Sequence, residues 1–181
     1  MSARFALKAA TQHAHERLDR RIARLDLANR AEYATFLAIH EAVLPALEDQ
    51  LADSGLGECV PNWAEHRRTG ALRADMAAMA IESSSPNPLP PLDSTEELLG
   101  AAYVLEGSRF GGHYLARQVP DDLPAAFLRG QGNLGPWPEL VAVMDARLST
   151  AEQLDRASAA ALAVFDAYAR AADDHGLADH E

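Results

Sequence analysis

The stretch Tyr103–Leu115, YVLEGSRFGGHYL, decides the fold prediction, because a helical pattern continues on both sides of three glycines. Each glycine in a helix interior costs about 0.5–1 kcal/mol relative to alanine. Gly107, Gly111 and Gly112 stand at positions i, i+4 and i+5, which places them on one face of the helix. We therefore expect a bare helical face on which a flat ligand or a second helix lies directly against the main chain.

Two other interpretations of the glycines need no ligand. The bare face would also allow a close crossing of two helices, and the helix would also be able to end near Gly107. A dinucleotide-binding loop is not expected, because no strand precedes the glycines.

Composition limits the class of protein. The chain has 181 residues, 48% of them apolar, and long segments without proline, which predicts one all-α domain, a helical bundle spanning 1–181. The net charge of −11 argues against nucleic acid or an anionic membrane as a partner. Neither a membrane span nor a signal-peptide core is evident, and Cys59, the one cysteine, excludes an internal disulfide and a multi-cysteine zinc site. We expect a cytoplasmic protein.

Hydrophobic periodicity and capping signals predict the helices. The expected helical ranges are 3–25, 30–52 with a kink at Pro45, 63–81 with a break at 69–70, 94–118, 123–129, 137–148 and 150–175. Loops are expected over 83–91 and 130–136, where proline, glycine and serine accumulate.

The first helix carries a second group of residues with chemical potential. Lys8, Thr11, His15 and Asp19 are spaced i, i+3, i+7 and i+11, so they share one side of the helix. A histidine there can bind a metal through one ring nitrogen while Asp19 accepts a hydrogen bond from the other. Lys8, about 10 Å away along the axis, suits the acidic edge of a large ligand. The alternative is a core histidine with its polar atoms satisfied and a solvated lysine.

Taken together, the two helices offer an axial histidine and a bare face, which a heme sandwiched between them requires. The motifs LKxATxxxH at 7–15 and YVxEGSxxG at 103–111 resemble those of the heme oxygenase family, in its compact bacterial branch that includes bacteriophytochrome-associated enzymes. The resemblance implies a heme oxygenase-like bundle that uses heme (iron protoporphyrin IX) as cofactor and substrate. It further implies cleavage by O2 and electrons from a ferredoxin or flavin reductase, with release of biliverdin, carbon monoxide and ferrous iron.

The resemblance also implies roles for single residues. Heme contacts are implied for Lys8, Thr11, His15, Tyr103, Gly107, Ser108 and Gly111. Of these, His15 is the expected proximal ligand, bound to iron through Nε2, and Lys8 and Tyr103 are expected at a heme propionate. Gly107, Ser108 and Gly111 form the expected catalytic distal surface, with Ser108 near the iron.

Three further expectations concern charged residues. Asp19 stands where relatives often place a carboxylate beside the proximal histidine, although a glutamate is the usual form. Arg109 replaces a frequent asparagine and cannot accept a proton, so we expect it to hold water, contact a propionate or face solvent. The basic cluster Arg17, Arg20, Arg21 and Arg24 is a possible dock for an acidic ferredoxin.

A bacteriophytochrome is a possible recipient of the bilin.

Two alternative functions remain open at the level of sequence. The first is a heme-binding carrier or sensor that has the same pocket without turnover. The second is a thiaminase-like enzyme of the same broad fold, which would need a nucleophilic cysteine or a carboxylate site in the bundle. Cys59 lies in a loop-like setting, which disfavours the thiaminase-like enzyme.

Overall fold

The computed structural model describes residues 2–61, 63–83, 86–130 and 136–178, and in these ranges all regular structure is helical. The α-helices are α1 (Ala3–Ile22), α2 (Arg30–Glu41), α3 (Leu44–Asp53), α4 (Leu56–Cys59), α5 (Thr69–Ala78), α6 (Thr95–Leu115), α7 (Ala126–Arg129), α8 (Pro136–Arg147) and α9 (Ala151–Asp174). Short 3₁₀ turns cover Trp63–His66 and Ala116–Gln118. The predicted all-α class is confirmed.

The long helices α1 and α6 both pack against α9, and the shorter helices surround them. Helix α6 crosses α9 closely at Gly100, where a Cβ atom would stand 2.0 Å from the carbonyl oxygen of Ala157. A close helix crossing through glycine therefore exists, but it uses Gly100, which the sequence analysis did not single out.

Helix α1 is held at both ends. At its start, the backbone N–H of Ala3 donates to Oδ1 of Asp145 on α8 at 2.7 Å. At its end, Arg21 contacts the Asp173 carboxylate of α9 at 2.8 Å, and Arg24 donates to the carbonyl of Ala178 at 3.0 Å. These contacts fix the helix that carries the predicted proximal histidine.

The predicted kink at Pro45 is a complete break. Helix α2 ends at Glu41 and α3 begins at Leu44, with Val43 between them at φ −125° and ψ −50°. Pro45 occupies the first turn of α3, where its missing N–H would have no helical partner. Likewise, the expected break at 69–70 lies earlier in the chain, so that α5 begins at Thr69.

Capping side chains define the starts of the two longest helices. The sequence predicts Asp93 or Ser94 as the cap of α6, and the structure shows Ser94 in a reciprocal capping box with Glu97. At α9 the sequence predicts a cap within residues 149–152, and the observed box joins Thr150 to Gln153. Each such cap stabilises its helix by about 1 kcal/mol.

Most of the predicted loop over 83–91 is described and contains no regular structure. Its residues Ser84 and Ser85, and residues 131–135 of the predicted loop over 130–136, lie outside the described residues. No helix in the described ranges is long and apolar enough to cross a membrane.

Candidate functional site

A cavity of about 310 Å³ lies between α1 and α6, with α2 and α9 contributing to its inner wall. Its volume is within the range of small-molecule sites in proteins. The lining includes every predicted site residue: Lys8, Thr11, His15, Tyr103, Gly107, Ser108 and Gly111. The two sequence motifs therefore contribute to one cavity.

His15 stands on the α1 wall with 58% of its side chain exposed. Its ring meets Phe165 of α9 edge-on at a centroid distance of 5.6 Å. A neutral imidazole has a ring nitrogen with a lone pair, which makes histidine the commonest metal ligand in proteins. An exposed imidazole on a cavity wall is therefore chemically suited to bind a metal centre.

Asp19 lies one turn beyond His15 and also lines the cavity. Its Oδ2 is 3.6 Å from Nε2 of His15, which is longer than a hydrogen bond. The nitrogen that faces Asp19 is the one that the resemblance assigns to iron. The predicted hydrogen bond from the other ring nitrogen to Asp19 is therefore not formed among the described residues.

A polar group at one end of the cavity comprises Lys8, Thr11 and Tyr103. The hydroxyl of Thr11 is buried and donates to the carbonyl of Leu7 at 2.8 Å. Burial raises the pKa of Tyr103, although a hydrogen bond with Thr11 and the charge of Arg4 act in the opposite direction. Lys8 is exposed and makes no ion pair within the part of the chain that the structure describes. This end therefore offers a cation and a phenol to an acidic group.

The opposite wall is the glycine face of α6, and the helix passes through it without a break. Among the described residues, no atom outside the local helix backbone and the two chain neighbours lies within 4 Å of the position that a Cβ of Gly111 would occupy. At Gly107 the nearest atoms belong to the ring of Trp137, at 3.8 and 3.9 Å. The helix does not end near Gly107, and at these two positions it does not cross another helix closely. The glycine face is open to the cavity.

Ser108 lines the cavity beside the glycines, but its hydroxyl is already engaged. Its Oγ donates to the carbonyl of Leu105 at 2.7 Å and accepts a hydrogen bond from Nη2 of Arg68 at 3.1 Å. The proton of Ser108 therefore bonds the helix itself, and a lone pair on Oγ remains for water or a ligand.

The inner wall contains a histidine that sequence reasoning did not include in the site. The ring of His40 packs against Phe36, Phe127 and Tyr168 at centroid distances of 4.5, 5.1 and 5.5 Å. Burial, together with the charge of Arg68, lowers the pKa of His40 to about 3, so the ring is neutral near pH 7. Its Nδ1 is buried and has no hydrogen-bond partner among the described residues. The sequence signal that could have pointed to His40 is its position on the apolar face of α2.

Arg68 is the second residue that the sequence analysis missed. It lines the cavity, is buried, and donates from Nη2 to the carbonyl of Leu105 at 2.9 Å. Burial lowers the pKa of its guanidinium, and the neighbouring charge of Arg109 adds to that effect. No local pattern marks Arg68, because it reaches α6 from a segment 37 residues away in the chain.

Arg109 corrects an expectation from the sequence. Its Nε donates to Oε2 of Glu106 at 2.6 Å, and both side chains are buried on the side of α6 away from the cavity lining. A second bond joins its Nη2 to the carbonyl of His66. Arg109 therefore neither faces solvent nor reaches the cavity to hold water or a propionate.

Comparisons with known proteins place the chain among characterised relatives. It is 31% identical to a heme oxygenase of Xanthomonas campestris pathovar campestris over 139 residues, covering 74% of this chain and 84% of that protein. It is 28% identical to the heme oxygenase PigA of Pseudomonas aeruginosa over 159 residues, covering 77% and 75% respectively. No family model matches the chain.

A solved structure matches the fold over almost the whole chain. This is the heme oxygenase of Neisseria meningitidis in its NO- and CO-bound forms. The TM-score is 0.80, the sequence identity is 20%, and the match covers 97% of this chain and 92% of that one.

Proposed function

The chain belongs to the heme oxygenase family, and we propose that it cleaves heme to biliverdin, carbon monoxide and ferrous iron in the cavity between α1 and α6. The observation that carries this proposal is the placement of His15 on one wall and the open glycine face on the other. Bound heme supplies the iron that activates dioxygen and the macrocycle that is oxidised.

The residues of the cavity fit heme at three places. The exposed imidazole of His15 would bind the iron, and in its neutral form an imidazole donates less electron density to iron than a cysteine thiolate does. Lys8 and Tyr103, with Thr11 beside them, would hold a propionate at the polar end. The open space at Gly111 admits a flat ring close to the main chain of α6.

On the distal side, the chain contributes shape and water-binding groups. Gly107 and Gly111 carry no side chain that would fill the space above the ring. Ser108 keeps an acceptor lone pair that would hold a water on the distal side. Such a water would supply the protons that the reaction consumes.

The co-substrate and the partners belong to the same proposal. Turnover uses O2 and electrons from a ferredoxin or flavin reductase, and the bilin passes to a bacteriophytochrome or is discarded after iron release. The arginine cluster of α1 is less available as a dock than its sequence suggests, because Arg21 and Arg24 contact α9 and the C-terminal segment. A cytoplasmic location and a single domain over 1–181 stay predictions.

The alternatives have less support. The relatives found by sequence are named as enzymes, which disfavours a non-catalytic carrier or sensor. Cys59 lies in the short helix α4 and not in the cavity lining, which disfavours a thiaminase-like nucleophile.

The test is turnover with purified protein, hemin and an electron source. We expect the Soret band to disappear while bilin absorption rises. His15→Ala should lose the ligand-field spectrum of a histidine-bound heme and lose turnover. His13→Ala, on the same helix but outside the cavity lining, is the matched control and should behave as the wild type. Heme that stays intact in the wild-type protein would contradict the proposal.

A further inference from the structure

The side of α6 that faces away from the cavity carries a buried pair of charged residues, Glu106 and Arg109. Glu106 and Arg109 have side chains that are 1% and 6% exposed, and they form an ion pair at 2.6 Å. They flank Gly107 in the chain, so their contacts act on the helical turn that faces the cavity.

Arg109 and a second arginine, Arg68, both connect α6 with the segment 66–69. Arg109 donates to the carbonyl of His66, at the end of the 3₁₀ turn. Arg68 reaches the carbonyl of Leu105 at 2.9 Å and Oγ of Ser108 at 3.1 Å. Two guanidinium groups therefore connect the segment 66–69 with the turn Leu105–Arg109. We call this set of contacts the arginine clamp.

The segment 66–69 is itself fixed to α3. The carboxylate of Glu48, which is buried, accepts hydrogen bonds from the backbone N–H of Arg68 at 2.7 Å and of Thr69 at 3.1 Å. It also accepts one from the hydroxyl of Thr69 at 2.7 Å. The clamp therefore joins α6 to a rigid neighbour.

A buried ion pair is poor evidence for stability, because well-packed apolar residues often stabilise a core at least as well. A glycine-rich helical turn, however, is intrinsically weak, and Gly107 and Gly111 contribute no side chain that would hold it in place on the cavity side. Charge-assisted hydrogen bonds are short and directional, so they fix position more narrowly than apolar packing does.

We propose that Arg109, through its pair with Glu106 and together with Arg68, is a positioning residue that fixes the glycine turn of α6 and so sets the clearance above bound heme. Arg109 does not touch the cavity and acts only through the turn Leu105–Arg109. The inference rests on the proposed function for its ligand, but the rigidity of the turn is a property of the protein alone.

The first test needs no heme. Glu106→Gln combined with Arg109→Met removes both charges of the pair at similar volume, and hydrogen exchange is followed by mass spectrometry. Amides 105–112 should exchange about tenfold faster, because local opening of this turn loses its external hydrogen bonds. Amides 96–102 of the same helix should keep their wild-type rates. Unchanged exchange at 105–112 would overturn the proposal.

A matched control uses an ion pair of the same length on another helix. Glu152 and Arg156 of α9 also meet at 2.6 Å, but both side chains are more than half exposed. Glu152→Gln with Arg156→Met should leave exchange at 105–112 unchanged.

The second test uses the heme complex of the same variants. The variant Glu106→Gln with Arg109→Met should keep histidine ligation of the heme, but it should release CO about threefold faster and show a broadened C–O stretching band. We expect both changes because the turn Leu105–Arg109 is no longer held in one position. A wild-type C–O band and CO release rate would contradict the proposal. Failure of the wild-type protein to bind heme would instead count against the proposed function, since the exchange result stands by itself.

The single variant Arg109→Lys is the test to use if the double variant Glu106→Gln with Arg109→Met does not fold. It keeps the charge opposite Glu106, but an ammonium lacks the planar fork that spans a carboxylate and a carbonyl. We expect folding to be retained with exchange at 105–112 faster than in the wild type. Exchange at the wild-type rate would show that charge alone, without the clamp geometry, holds the turn.

Discussion

Helix α6 contains glycines in two halves that serve different needs. In the first half, Gly100 lies against α9, and a Cβ there would come within 2.0 Å of the main chain of Ala157. In the second half, the part of the chain that the structure describes places no atom beyond the local helix backbone within 4 Å of the same position at Gly111. The first glycine is required by contact between helices, whereas the second leaves open space on the wall of the cavity.

The comparison shows that the purpose of a glycine cannot be read from its own helix. Both positions belong to one uninterrupted helix, and both lack a Cβ. The difference lies in what stands opposite. At Gly100 it is the backbone of another helix, and at Gly111 it is the cavity that His15 borders.

The largest expected effect is on the packed half. Gly100→Ala forces the methyl group into the carbonyl of Ala157, which is backbone and cannot rotate away. We expect a loss of about 3 kcal/mol in the free energy of unfolding, since overpacking outweighs the gain of about 1 kcal/mol in helix propensity. Urea denaturation of the free protein measures it. Wild-type stability in this variant would mean that α6 and α9 separate easily.

The second prediction concerns the wall opposite the open half. Burial lowers the pKa of His40 from 6.5 to about 3. At a pH between these two values, His40 is therefore protonated in the unfolded chain but neutral in the folded protein. Stability contributed by neutral His40 is thus present above pH 6.5 and falls as the pH drops. The loss should reach about 2 kcal/mol at pH 5, at about 1.4 kcal/mol for each pH unit.

Urea denaturation of wild type and His40→Phe at several pH values checks this loss. The stability of the wild type relative to the variant should decrease as the pH falls from 7.5 to 5. His13→Gln, at an exposed position, should run parallel to the wild type. A constant difference between wild type and His40→Phe would show that His40 takes up its proton in the folded state as easily as in the unfolded one.

The smallest effect is on the open half, and its direction is opposite to that at Gly100. The methyl group of Gly111→Ala meets none of the described residues outside its own helix, so we expect it to raise the free energy of unfolding by up to about 1 kcal/mol. The added methyl group should weaken heme binding about tenfold, because it occupies space against which the ring would lie. Denaturation and heme titration measure the two effects separately.

Gly70 supplies the control for that experiment. It is an exposed glycine of α5, also without atoms within 4 Å of a Cβ position, and it is outside the cavity lining. Gly70→Ala should leave heme affinity unchanged. Equal heme affinity in Gly111→Ala and the wild type would remove the distinction between the two halves of α6.

Much of the site could be predicted because its residues repeat at helical spacing. Lys8, Thr11 and His15 face one cavity for that reason, and the capping box at Ser94 is a local signal as well. The break before Pro45 was harder to foresee, because a proline in the first turn of a helix and a proline that kinks a helix produce similar patterns.

The parts that sequence could not supply depend on distant partners. Gly100 matters only because α9 crosses there, and Arg68 matters only because the chain folds back onto α6. The burial of Arg109 could not be predicted, because charged side chains are rarely buried unless they are paired. A buried pair with Glu106 has the same sequence spacing as an exposed pair.

The attachment of α1 at both ends has a practical consequence for protein engineering. Asp145 at its start and Asp173 at its end hold the helix that carries His15 against α8 and α9. This helix is therefore a fixed frame of reference for the iron ligand. A library of substitutions in the second half of α6 can vary the height of the cavity while the anchoring wall stays where it is, which would separate the effect of pocket shape on reaction outcome from the effect of ligation.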